Sequence, residues 1–381
     1  MDFALSEELS MVRDMSRDFA ENHLMPLATQ HDREAKIDAS VFPAMAELGL
    51  WGLTVPESYG GAGMSNLAMC LVLEEINRAC ASTGVTLSVH ASLVCAPINK
   101  WGTEAQKQAW LPKLASGEVL GAYSLSEAVS GSDAAALVAT GTRDGNDWVL
   151  NGTKLWVTTG EQAGLFVVYV RTDPTVSKAK GITAFLLPRD TPGFQVGKKE
   201  KKTGIRGSST NELVLNNVRL GPESVLGEVG RGFNIAMDTL DGGRIGIASQ
   251  AVGIGRACLE AATKYAKERE QFGQAIANFQ AVQWKLADMS THLDAARFLV
   301  HNAAWLRDTG QEVGRMASQA KLMASKTANF CADECLQIHG GAGYTDDFHV
   351  ERLFRDARIT EIYEGATDVQ RIVIARHLLR S

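Results

Sequence analysis

The sequence predicts an α+β protein, mainly α, in three parts. These are an N-terminal helical domain at 1–118, a middle β domain of barrel or sandwich type at 119–225, and a C-terminal helical bundle at 226–381. Three observations predict it. Apolar residues recur at helical spacing through both ends of the chain. Between those ends the pattern changes to short β-rich runs punctuated by Gly and Pro. The chain is 381 residues long, 45% hydrophobic and 22% charged, enough for more than one core.

In the first part, Leu5, Leu9, Val12 and Phe19 share a helix face, and Ser6 is placed to start it. Helices are expected over 39–50, 66–81, 87–101 and 104–115. The loop Ser58 to Gly63 separates two of them, and Ser116-Gly117-Glu118 closes the domain. The middle part opens near Val119. Trp148 to Val157 predicts two strands joined by a tight turn at Asn151-Gly152, a strong hairpin signal. The same turn accounts for the formal glycosylation sequon at Asn151. Further strands are expected over 165–171, 182–187 and 212–220. The run Lys198-Lys199-Glu200-Lys201-Lys202 predicts a solvated loop. From Gly230 the helical spacing returns, to about Glu268, then over 279–308 and 313–338, with two shorter helices before Ser381. Three long amphipathic helices with short links predict an antiparallel bundle.

Lys plus Arg number 38 and Asp plus Glu 44, a net charge of -6, which argues against nucleic acid as the main partner. No apolar run of about 18–20 residues is evident, so no membrane span is expected. The acidic, amphipathic start MDFALSEELSMVRDM lacks the marks of a signal or transit peptide, and a cytoplasmic location is expected. Of six cysteines, Cys70, Cys80, Cys95 and Cys258 stand singly among apolar residues. Cys331 and Cys335 are one helical turn apart with only His339 nearby, so a buried helix face is expected there and no metal site.

The sequence carries no GxGxxG after a strand, GxxxxGK[ST], HExxH, GxSxG or CxxC. Three other constellations carry chemistry. The hydroxyl-rich run Tyr123-Ser124-Leu125-Ser126-Glu127-Ala128-Val129-Ser130-Gly131-Ser132 can present N–H and O–H donors to a polar ligand. Gln337-Ile338-His339-Gly340-Gly341 ends a helix in glycines that let a ligand approach the backbone. In Ile359-Thr360-Glu361-Ile362-Tyr363-Glu364-Gly365-Ala366-Thr367-Asp368-Val369-Gln370, a carboxylate at Glu364 precedes a helix start that Thr367 can cap. A Glu facing an apolar cavity there can act as a general base. Each motif, taken alone, also has an ordinary structural reading.

Together they resemble the acyl-CoA dehydrogenase family. YSLSEAVSGSD, NGTKLWVT, KTGIRGSSTNEL, LDGGRIGIASQAVG, the ERxxFG pattern from Glu268 to Gly273, QIHGGAGY and ITEIYEGATDVQR occur in the family's order and spacing. LDGGRIGIASQAVG and RDARITEIYEGA are closest to the short-chain, butyryl-type branch. The resemblance implies a C-terminal four-helix bundle, one FAD per subunit, a homotetramer and electron-transferring flavoprotein as electron acceptor.

It also implies roles for residues. Glu364 matches the base that removes the α-proton of an acyl-CoA while hydride passes from the β-carbon to the flavin, giving a trans-2-enoyl-CoA. This is the chemistry of fatty acid β-oxidation. Tyr123 to Ser132, with Trp156, Val157 and Thr158, match segments that cradle the flavin. Arg269, Gln280 and Gln337 to Gly341 match segments that reach the FAD of a neighbouring subunit. Ala366, Thr367 and Asp368 match the loop near its adenosine diphosphate part. Ser132, Asp241, Gly242, Gly243, Arg244 and Gly365 match substrate contacts. The chain has Ala128-Val129 where the family usually has Pro-Gly. It has Gly243 where an isovaleryl-type branch places its base, and Gly84 where dicarboxylyl-specific members place an Arg, which argues against a dicarboxylyl substrate. An acyl-CoA oxidase on the same fold is the alternative.

Overall fold

The computed structural model describes residues 4–380; Met1–Phe3 of the acidic start and the final Ser381 lie outside them. Helix α1 (Glu7–Phe19) begins as its sequence dictates. The Ser6 hydroxyl accepts from Leu9 N at 3.3 Å, and Glu7 and Glu8 occupy the first turn. After α2 (Ala28–Glu34), α3 (Val41–Glu47) is shorter than the 39–50 expectation because Gly49 turns left-handed at φ 68°. Helix α4 (Asn66–Ala79) is capped by Ser65 and stops where Cys80 goes extended at φ -149°. Then α5 (Ala81–Ser88), a π-helical stretch Val89–Cys95 and α6 (Ala96–Trp101) run on without a break. The helix expected from Leu87 therefore starts at Ala81.

That 21-residue run corrects the expectation of no apolar segment of spanning length. By length and composition it could cross a membrane, with a mean hydropathy of 1.3 in its most apolar window. Here 89% of that window is buried inside the fold, where helix α7 (Glu104–Ala115) and the rest of the chain cover it.

The middle part is a single sheet of β1 (Leu120–Ser124), β2 (Thr140–Asp144), β3 (Asp147–Thr158), β4 (Ala163–Arg171), β5 (Ile182–Pro188), β6 (Phe194–Lys199), β7 (Thr210–Leu220) and β8 (Val225–Leu226). Its order is β6-β7-β3-β2-β4-β5-β8, with β1 parallel to β4. The sheet folds over itself. Trp148 and Leu150 of β3 and Leu213 and Leu215 of β7 share one core with Phe166, Val168 and Phe185 of β4 and β5. The alternate residues of β4, Leu165, Val167 and Tyr169, face the helices instead, as the two-residue strand period requires.

The hairpin expected at Asn151-Gly152 is absent: β3 runs straight through it. The tight turn lies earlier, at Gly145-Asn146, where Asp144 pairs with Asp147 and Gly145 takes φ 63°. Asn151-Gly152 is instead an irregularity in the β3–β7 ladder. Asn151 grips Asn217 of β7 through both amide atoms. Gly152, at φ 139°, is needed because a Cβ there would stand 2.6 Å from the Ala139 Cβ. Lys198 and Lys199, read as loop, belong to β6, and Lys199 pairs with Glu161.

The C-terminal part consists of α8 (Gly232–Glu268), a small hairpin β9 (Glu270–Gln271) and β10 (Gln274–Ala275), α9 (Gln280–Asp308), α10 (Gly314–His339), α11 (Val350–Arg358) and α12 (Thr367–Arg380). Helices α8, α9 and α10 meet over a core of small and branched residues, among them Ala251, Leu293, Ala296, Val300, Ala320, Ala324 and Ala328. Helix α12 packs on α10, and α4 on α8. Cys331 and Cys335 lie in this core, and all six cysteines are buried and free. Two fully buried carboxylates, Glu74 and Glu75 of α4, tie the helical layers together. Glu74 binds Arg297 and His301 of α9, and Glu75 binds Arg17 of α1 and Arg256 of α8.

Candidate active site

Glu364 lies between a 3-10 turn, Ile359–Glu361, and the start of α12. It is left-handed at φ 49°, and Gly365 follows at φ 94°. A left-handed Glu is strained and needs outside support. The next carbonyl supplies the handle: Gly365 O accepts from Lys321 Nζ at 2.8 Å and from Gln370 Nε2 at 2.7 Å. Thr367, expected as the cap, is instead the first helical residue, and its hydroxyl donates back to Glu361 O at 3.2 Å.

The Glu364 carboxylate rests against Gly243 of α8, with Leu93 beside it. Its Oε2 is closed to solvent and has no hydrogen-bond partner among the described residues. Burial pushes the Glu364 carboxyl up to about 7, against the opposing pull of Lys321 and Arg244. A carboxylate with one unsolvated, unbonded oxygen and a proton affinity near neutrality has the properties a general base needs.

Arg244 is buried and its Nη1 donates to Asp241 at 2.5 Å, while its Nε is buried without a partner and faces Gly365. Burial raises the Asp241 carboxyl, and Arg244 offsets part of this. Gly243, Arg244 and Gly365 of the expected substrate set thus surround Glu364. Gly242 turns away, toward the Arg307 guanidinium, and Asp241 lies beside Gly314. Gly84, aligned with a specificity Arg, is buried against Asn77, with no space for a side chain. The cavity beside the α8 glycines is lined by Ser88, Ala91, Ser92, Gly242, Gly246 and Arg307, among others, and Gly84 is not part of it. In this fold Gly84 packs against the amide end of the Asn77 side chain.

From the sheet side, Tyr123 of β1 places a buried hydroxyl without a partner beneath this site, its ring 5.2 Å from Tyr169. Burial, then Tyr169 and the Glu364 carboxylate, hold that hydroxyl protonated well above its ordinary range. Tyr363 donates to the buried Gln250 of α8.

The loop after β1 is built on a buried ion pair. Glu127 accepts from Val138 N at 2.6 Å, Ala139 N at 3.1 Å and Lys154 Nζ at 2.6 Å. Its side chain thus fixes the shape of the loop. Leu125 is buried in a core, and Ser130 Oγ donates to Asp133 O. Ala128, Val129, Gly131 and Ser132 are exposed, with Ser126 half-buried. Ser126 O accepts from Leu155 N at 2.9 Å, which brings the loop to β3. There Trp156 is 56% exposed at φ 57°, next to the half-buried Thr158, whereas the Val157 side chain points into the sheet core. An exposed indole on a strained strand, with the buried Ser124 Oγ and Thr159 Oγ1 lacking partners nearby in sequence, fits a flat polar-edged ring such as FAD's.

Most of the remaining cofactor candidates lie away from Glu364. Arg269 caps the far end of α8, 26 residues beyond Gly243, or roughly 39 Å along a helix. Arg269, Gln280, Gln337, Gly340 and Gly341 are exposed. Ile338 and His339 turn inward. Ile338 joins the helical core, and His339 Nδ1 bonds Cys335 O at 2.8 Å under a stacked Tyr265 ring. Ala366 and Asp368 flank the first residue of α12, with Asp368 exposed.

Sequence reasoning gave no role to Gln370 and Gln250, which lie in motifs it quoted, and missed Lys321 and Tyr169. Lys321 carried a readable signal. It falls on the inward stripe Ala317, Ala320, Ala324, Ala328 of α10, where a lysine needs a buried partner.

Three family descriptions match the chain in order: acyl-CoA dehydrogenase N-terminal domain over 6–118, middle domain over 122–218 and C-terminal domain over 230–379. The chain is 49% identical over 377 residues to the short-chain specific acyl-CoA dehydrogenase, mitochondrial, of Bos taurus, covering 99% of this chain and 91% of that one. The solved butyryl-CoA dehydrogenase of Megasphaera elsdenii superposes with a TM-score of 0.98 at 42% identity over the whole of both chains. A chain from the structure of the electron transferring flavoprotein of Acidaminococcus fermentans does so with TM-score 0.98 at 44% identity, again over both whole chains. A glutaryl-CoA dehydrogenase from Mycobacterium smegmatis, solved with FADH2, has TM-score 0.93 at 31% identity, covering 99% of this chain and 96% of that one.

Proposed function

The chain belongs to the acyl-CoA dehydrogenase family, and from that premise we propose that it oxidises a short-chain acyl-CoA to the trans-2-enoyl-CoA with Glu364 as the base. The observation that carries the reading is the strained Glu364, one of whose carboxylate oxygens is closed to solvent and unbonded beside Gly243. An α-proton next to a thioester is weakly acidic, so the base must be dry and fixed. Gly243 leaves the space, Lys321 and Gln370 fix the backbone, and burial raises the proton affinity. FAD, when bound, supplies the hydride acceptor. Trp156, Thr158 and the 123–132 loop would hold its ring, and Arg244 Nε faces the same space as the base.

An electron-transferring flavoprotein is the proposed acceptor of the electrons, supported by the Acidaminococcus fermentans likeness. The roughly 39 Å from Gly243 to Arg269 is longer than an FAD molecule. Arg269, Gln280 and Gln337–Gly341 therefore serve the flavin of a second copy, as in a homotetramer. The exposed Phe272, Trp284 and Trp305 on the same bundle offer the apolar surface such an assembly buries. Six buried free thiols suit a reducing compartment, and the cytoplasm is the proposed location.

The test is Glu364→Gln. Gln keeps size and packing but cannot take a proton. The variant should stay yellow and bind butyryl-CoA, while anaerobic flavin bleaching by that substrate slows by at least about 10²–10⁴-fold. Bleaching within a few-fold of wild type would move the base elsewhere.

A further inference from the structure

Lys321 is fully buried, and its one hydrogen bond among the described residues goes to Gly365 O at 2.8 Å. A buried ammonium on a single carbonyl is costly unless an anion is near. The anions acting on it are Glu364, the residue before that carbonyl's own, and, more weakly, Glu361. Glu364 and Gly365 are both left-handed, and Gln370 is the only other side chain donating to Gly365 O among the described residues. The groups facing Glu364 are Lys321 from α10, Arg244 with its partner Asp241 from α8, Tyr123 from β1 and the adjoining Tyr363. Arg244 is already tied to Asp241 at 2.5 Å. Among the described residues, Lys321 has no ion-pair partner within salt-bridge distance.

We propose that Lys321 is the positioning residue of the base: its ammonium anchors the carbonyl of Gly365, next to the strained Glu364, and its charge favours the ionised form of the Glu364 carboxylate. The inference rests on Glu364 being the base. Burial drives the two groups toward each other, Lys321 down to about 8 and Glu364 up to about 7, and each charge opposes the other's shift. Deleting the lysine charge must therefore raise the proton affinity of Glu364.

The experiment compares Lys321→Met, which removes donor and charge at similar length, with Lys321→Arg, which keeps both, and Gln370→Met, which removes only a neutral donor. The readouts are the acidic limb of the kcat/KM–pH profile for butyryl-CoA and deuterium exchange at its α-carbon. Lys321→Met should move the limb upward by about one pH unit. Lys321→Arg should restore it, and Gln370→Met should slow exchange without moving it. If Lys321→Met yields no folded protein, Lys321→Gln serves as the neutral variant with the same expected shift. An unmoved limb in a neutral variant overturns the inference. Glu364→Gln separates the two claims. If it still exchanges the α-proton, the base assignment fails. If it does not, while the neutral Lys321 variant keeps the wild-type limb, only the role of Lys321 fails.

Discussion

The carboxylate of Glu364 occupies the space that a side chain at Gly243 would need: a Cβ built there stands 2.0 Å from Glu364 Oε2 and 2.8 Å from Leu93 Cδ2. The two residues are far apart in sequence and sit on a loop and on α8. Their contact makes the glycine a condition for where the base sits. It also shows why one fold can place a carboxylate on either element but not on both.

Gly243→Ala tests that contact. The added methyl cannot share the space, so the carboxylate must shift by about an ångström, enough to cost on the order of 10²-fold in rate. Gly243 is helical, so backbone strain does not enter. The FAD content should match wild type, and kcat for butyryl-CoA should fall. A variant with wild-type kcat would show that Glu364 acts from another position.

The raised Glu364 carboxyl also predicts how stability changes with pH. Its ordinary value is 4.5 and its folded value about 7. Below 4.5 it is neutral folded or unfolded. Between the two values the unfolded chain ionises while the folded site stays protonated, so stability falls as pH rises, and above about 7 the full cost stands. Glu364→Gln removes that cost. Its thermal midpoint should exceed wild type by on the order of a few degrees at pH 8, with a smaller gain at pH 5.5. An equal gain at both pH values would show that the site does not carry this charge penalty.

The long helices were legible because their apolar stripes are continuous. α8, α9 and α10 end within a residue or two of where Glu268, Asp308 and Ile338 place them. Short strands were not. β1, β2 and β6 are five or six residues long, and their apolar pattern is set by which half of the folded sheet they meet. Asn151-Gly152 misled because the pair fits both a tight turn and a ladder irregularity, and only the pairing with Asn217 decides. At the site, Glu364, Gly243, Arg244 and Gly365 were found through local motifs. Lys321 and Tyr123's position under the base depend on contacts between α10, β1 and the Glu364 loop, which no local pattern encodes.

The buried Glu127–Lys154 pair predicts how the 123–132 loop, the proposed flavin contact, fails. Lys154 is fully buried and donates to Glu127 at 2.6 Å and to Leu125 O at 3.2 Å. Lys154→Met leaves Glu127 charged with only the Val138 and Ala139 amides, a loss of about 3–5 kcal/mol. Lower urea midpoints and faster FAD release should follow. Adding Glu127→Gln to Lys154→Met should recover part of the stability, because the stranded charge is gone. No recovery in the double variant would mean the loop depends on the pair's shape and not its charge.

The distance between Arg269 and the base gives the last prediction. Glu364 lies beside Gly243 in the first half of α8, whereas Arg269 closes the helix's far end. If each FAD lies on the 123–158 face of one copy and under Arg269 of another, two defective chains can complement. Arg269→Ala alone should lose FAD more readily, because a guanidinium donates two charge-assisted bonds to a pyrophosphate. Glu364→Gln alone should be yellow and inactive. In a co-expressed mixture, a hybrid pair holds one site with an intact Glu364 from the first chain and an intact Arg269 from the second. Random pairing into two-fold dimers then restores about one quarter of the wild-type sites. If Arg269 served its own chain's flavin, every site in the mixture would carry one of the two lesions whole, and neither activity nor flavin bleaching would rise above the sum of the separate variants. Activity of the purified hybrid, isolated with a different tag on each chain, distinguishes the two arrangements.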